Sequence, residues 1–150
     1  MDAALLRRVE QQRVEMLYGN ALAVSGSAVL MVAMIAVITW PHTAHSRIIG
    51  WSIATLLVQV GSLVLTAGFR NADNRATASG SWGWRFAAAS GIAGLVWGSS
   101  AFVLVDSNQS LTLALIAACL AARATISVIT HAHFPPALHA FTAPVFGLLA

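Results

Sequence analysis

Lysine is absent from this chain, and all eight of its basic residues are arginine. Acidic residues are scarcer still, five in 150, and charged residues of both signs make up only 9 % of the sequence. A soluble domain carries about a quarter of its residues as charge, so an ordinary water-facing surface is excluded. The arginines do not form a continuous basic face, although the sequence pI is near 10.5. They sit in short segments beside apolar runs, which points to orientation in a bilayer and away from nucleic-acid binding. The single cysteine, Cys119, excludes an internal disulfide and a cysteine metal site. Paired carboxylates, a nucleophile with its base and a phosphate-binding glycine loop are also missing. Asp73 and Asp106 fall in loops expected on opposite sides of a membrane. No catalytic role and no cofactor is therefore assigned to these residues.

What the chain has is apolar surface: 58 % of its residues are hydrophobic and its mean hydropathy is +0.77. The bilayer is its expected solvent and the lipid bilayer its first expected partner. The clearest span is Trp82–Asp106, WGWRFAAASGIAGLVWGSSAFVLVD, which opens on an aromatic and basic edge and runs about twenty residues without charge. Ser90, Gly94 and Gly98 recur in it at every fourth position with Gly91 beside them. One face of that helix is nearly bare backbone, suited to close packing against another helix.

The remaining spans follow from the same reading. Residues 1–18 form an amphipathic lead-in whose apolar side is drawn through Ala3, Leu5, Leu6 and Val9 and then Arg13, Met16 and Leu17. It is either a partner- or lipid-sensing helix or a solvated segment that fixes topology. Residues 19–150 form the membrane domain, and the mixed-charge start gives no cleavable signal pattern, so the first span, Gly19–Trp40, is read as retained. Pro41 stops it. The second span is Ile48–Phe69, with Gln59 near its middle as an interhelical hydrogen-bond partner or a ligand contact. The fourth is Leu111–Thr130. The segment HAHFPP breaks the chain at Pro135 and Pro136, and the run from Ala137 to Ala150 is read as a partial fifth span of about fourteen residues. The expected architecture is an all-α integral membrane bundle of four complete spans, a partial fifth and an N-terminal interfacial helix.

Topology follows from the arginines. Arg7, Arg8 and Arg13 precede the first span and Arg70, Arg75 and Arg85 lie between the second and third, whereas the opposite loops hold only Arg47. The positive-inside rule places the N-terminus in the cytoplasm.

Two sets of polar residues are candidates for chemistry. His131 and His133, with His139 beyond the prolines, have a residue type that binds transition metals, but no Cys, Asp or Glu accompanies them in sequence; interfacial solvation and pH sensing are the alternatives. Arg123 is a permanent cation inside an apolar run, and an intramembrane charge is a candidate functional residue. If its span runs from about Asn108 to Ile129, its long side chain reaches the headgroups by snorkelling; held inside the bundle, it serves as a ligand or switching residue.

The pattern Arg13-Val14-x-x-Leu17-Tyr18 leading into the first span, with Trp84-Arg85-Phe86, Gly94 and Trp97-Gly98 in the third, resembles the membrane-associated sensor (MASE-type) domains of bacterial signalling proteins. Those multi-span regions precede diguanylate cyclase (GGDEF) or histidine kinase modules. The resemblance implies a sensory input module in the bacterial inner membrane, with five to eight spans and a cytoplasmic output domain or further C-terminal segment as its partner, and it leaves room for a homodimer. Neither Arg123 nor HAHFPP matches that family's landmarks, so the resemblance assigns them no sensing role. The competing expectation is a small transporter or channel-like protein, in which Gln59 and Arg123 line a polar path.

Overall fold

The computed structural model describes residues 3–73, 78–105, 110–132 and 134–148, with side-chain surroundings for all of these except 3–7, 10, 11, 21 and 22. The described residues form seven helices and no strand: α1 (Ala3–Gly19), α2 (Ala21–Thr39), α3 (His45–Asn71), α4 (Ser79–Gly98), α5 (Ser100–Val103), α6 (Ser110–His131) and α7 (Pro135–Gly147). Four stretches, Gln12–Thr39, His45–Asn71, Ser79–Val103 and Ser110–His131, are long and apolar enough to cross a membrane. Their outward faces stay apolar. Leu30, Val37 and Leu111 each leave 74 % of their surface uncovered, a distribution that suits hydrocarbon and not water.

The lead-in and the first span are joined. Asn20 keeps a helical backbone and the Val24 N–H donates to its carbonyl, so α1 passes into α2 with little interruption. The inward face of α1 also differs from the expected stripe. Val14, Leu17 and Tyr18 are buried, while Arg13 and Met16 are exposed; the side chains of Ala3, Leu5 and Leu6 lie outside the described set. The reason is tertiary. The Tyr18 ring stacks on Phe69 of α3 at 4.2 Å, meets Trp82 of α4 edge-on at 6.3 Å, and its hydroxyl donates to the Trp82 carbonyl at 3.0 Å. This cluster ties the end of α1, the end of α3 and the start of α4 at one end of the bundle. At the opposite end the Thr43 hydroxyl donates to the Leu104 carbonyl at 2.6 Å. Alternating antiparallel helices account for both ties.

Removing only the Tyr18 hydroxyl keeps the ring stack and deletes the bond. Tyr18→Phe is expected to lower stability by about 0.5–1.5 kcal/mol, the usual net value of one intramolecular hydrogen bond. Chemical or thermal unfolding in detergent checks it, and an unchanged midpoint would mean that the bond contributes nothing.

The third span is not one continuous helix. It starts at Ser79, pauses at Ser99 and closes with the single turn α5. The Ser99 hydroxyl donates to the Val96 carbonyl and the Ser100 hydroxyl to the Trp97 carbonyl. A glycine followed by two serines that compete for helix carbonyls is where an α-helix yields. Asp106, its expected end, lies outside the described residues.

After α6 the chain turns, and Pro135 opens α7, where its missing N–H and fixed φ are harmless. At 13 residues α7 is about 20 Å long, short of the roughly 30 Å of a hydrocarbon core. It runs parallel to α4, and theirs is the most extensive helix pairing in the bundle. Phe134 lies against Gly83, Ala140 beside Gly91, Phe141 against Gly94, and Pro144 and Val145 against Gly98.

Candidate functional site

The buried residues of α6 include Ile116, Cys119, Leu120, Arg123, Ala124, Ser127 and His131. They recur at helical spacing, which makes one inward stripe. Its first half is apolar apart from Thr112, and its second half carries a guanidinium, a hydroxyl and an imidazole four residues apart. Arg123 lies eight residues before His131, about 12 Å from that end of the helix.

Snorkelling is not what Arg123 does, because only 3 % of the residue is exposed. Its guanidinium sits between two rings, with Cζ 5.6 Å from the centre of Trp97 on α4 and 5.8 Å from that of Phe141 on α7. Each is a cation–π contact near the outer limit of the useful range. Nε and Nη1 are buried and have no hydrogen-bond partner; the same holds for Trp97 Nε1, Ser127 Oγ and His131 Nδ1. Interior polar groups are normally paired, so five orphan atoms among these four side chains mark an unusual spot.

Arg123 and His131, but neither Trp97 nor Ser127, line a cavity of about 40 Å³ between the helices. Its polar lining comes from Ser25 on α2, Gln59 and Ser62 on α3, Ser90 on α4 and Arg123, Thr130 and His131 on α6; among the described residues no carboxylate lines it. Ser62 already donates to the Val58 carbonyl of its own helix. Gln59 is buried and therefore shares a cavity with Arg123, although 64 residues separate them in sequence.

The histidines are not brought together. His131 is buried against Phe86 and Phe141, at 5.3 and 6.2 Å between ring centres, whereas His139 is exposed on α7. His133 lies outside the described residues. Among the described residues no group of three or more His, Cys, Asp or Glu is placed to hold a metal ion.

Ser90, Gly94 and Gly98 are all buried and Gly91 is half-buried; the first also lines the cavity, and the glycines lie along α7. Gly83 extends this face by two turns. It was missed because it stands beside Trp82 and Trp84 in a segment that reads as an interfacial edge. Trp97 was missed as a site residue too, since a tryptophan in an apolar run reads as core. One signal in the sequence did point to the site: Arg123, Ser127 and His131 are spaced to share one face of α6.

No known protein family, curated protein or solved structure matches this chain.

Proposed function

We propose that this chain is the sensory input module of a bacterial signalling protein, lying in the inner membrane with its N-terminus in the cytoplasm and passing a signal to a cytoplasmic output domain. The observation that carries the reading is the seat of Arg123. One ring that holds its guanidinium belongs to α4 and the other to α7. The carbonyl of that same Phe141 lies against Gly94. Any change that moves or neutralises the guanidinium therefore acts on the α4–α7 contact. Packing of nearly bare backbone offers little side-chain interlock, so two helix arrangements of similar energy are accessible to a ligand with different affinity for each. The four long apolar helices and the arginine asymmetry support the membrane setting and its direction.

Small polar residues on α2, α3 and α4 that face Arg123 favour a second reading, a transporter or channel-like protein. The two readings separate in one experiment on the complete gene product in vesicles. As a sensor, it loses signal-dependent output when Arg123 is replaced by Gln and moves no solute. As a transporter, it moves solute, and the same substitution abolishes that flux. Reporter fusions after Arg75 and after Asn108 should read cytoplasm and exterior respectively, and the reverse pattern would sink the orientation.

A further inference from the structure

We infer that the cavity beside Arg123 binds a small monoanion, of the size of a halide or formate. This inference names the ligand class for the site on which the sensory reading rests. The argument starts from the donors. Arginine side chains can only donate, and Arg123 Nε and Nη1 are buried with nothing to donate to. The cavity's acceptors among the described residues are all neutral: the Gln59 carbonyl, the His131 imidazole and a few hydroxyls. Water could satisfy hydrogen bonds in that space, but it cannot balance a full charge removed from solvent. A negative ion does both.

Size and charge narrow the class. About 40 Å³ holds roughly one to three water molecules. A halide or formate fits within it, and gluconate does not. Among the described residues Arg123 is the cavity's one permanent cation, so it matches a single negative charge, and a dianion such as sulfate would bring a second charge with no counterpart. The two rings lie 5.6 and 5.8 Å from Cζ and offer no lone pair to Nε or Nη1, which leaves those groups free for the ion.

The test uses the purified chain in detergent, with the thermal midpoint followed in sodium gluconate, bromide, formate and sulfate at matched ionic strength. Bromide or formate at a hundredfold excess over its dissociation constant is expected to raise the midpoint by roughly 5–10 °C relative to gluconate. Sulfate raises midpoints by general exclusion from protein surfaces, so bromide exceeding sulfate is the diagnostic order. Arg123→Gln should erase the bromide response. Arg123→Lys, which keeps charge but loses the planar fork, should weaken bromide at least tenfold, and it serves as the comparison if the Gln variant fails to fold. Crystals soaked in bromide should show the ion at the guanidinium.

Equal midpoints in bromide and gluconate, an undiminished response in the variants, or bromide bound only elsewhere would each overturn the inference. Ion binding without any effect on output would leave the site standing and remove the sensory reading. Output that depends on Arg123 but ignores these ions would do the opposite.

Discussion

Gly94→Ala is expected to destabilise the protein by about 1–3 kcal/mol, the usual cost of overpacking. A β-carbon at this position would press on the Phe141 carbonyl oxygen and lie 3.0 Å from its carbonyl carbon and 3.1 Å from its Cα. Those are backbone atoms of another helix, so no rotamer change relieves the contact. Either α7 shifts or α4 does, and both moves disturb the ring that holds Arg123. Gly91→Ala is the internal control. There the nearest atom is the Ala140 carbonyl oxygen at 3.7 Å, an ordinary contact. Alanine is the better helix former by up to about 1 kcal/mol, so Gly91→Ala should be neutral or mildly stabilising. The opposite signs are the test. Equal thermal midpoints for the two variants in the same detergent would refute close α4–α7 packing at Gly94.

Arg123→Met is expected to raise stability in gluconate buffer, without halide or formate, while removing function. Desolvating an ion costs several kcal/mol even after relaxation, and a hydrophobic replacement of similar size for buried charge is often stabilising by about 1–4 kcal/mol. Against that stand two long cation–π contacts, at roughly 0.5–1 kcal/mol each. The balance favours methionine by about 1 kcal/mol, since its flexible thioether can fill the space between the rings. Unfolding midpoints in gluconate measure the stability, and the output of the complete protein measures the function. A clear loss of stability would mean that Arg123 has a partner in the folded protein and is a structural residue. Stability gained with output intact would mean that the site has no role in signalling.

Much of this was legible from composition and spacing because the physics involved is local. Lipid requires backbone groups to pair within their own segment, so apolar runs of sufficient length imply helices wherever they occur. Pro135 and Pro136 act on their own neighbours in the chain, and α7 begins at Pro135. Ser90, Gly91, Gly94 and Gly98 share a face by helical periodicity alone. Which helix meets that face is a long-range matter, and the structure places α7 there, parallel to α4 and seated partly by the unforeseen Gly83. The burial of Tyr18 depends on Phe69 and Trp82, dozens of residues away. The pause at Ser99 is local, yet the apolar run through it hid two hydroxyls turned onto Val96 and Trp97.

Arg123 shows the division most clearly. Its sequence position determined that a permanent charge stands inside an apolar helix about 12 Å from one end, within reach of the headgroups. Spacing puts Arg123, Ser127 and His131 on one face of α6, but α6 is apolar on most of its other sides, so one helix alone cannot say whether that face turns to its neighbours or to lipid. Only the packing of α4 and α7 against α6 decided that the guanidinium lies between Trp97 and Phe141, beside Gln59 and away from any carboxylate lining the cavity.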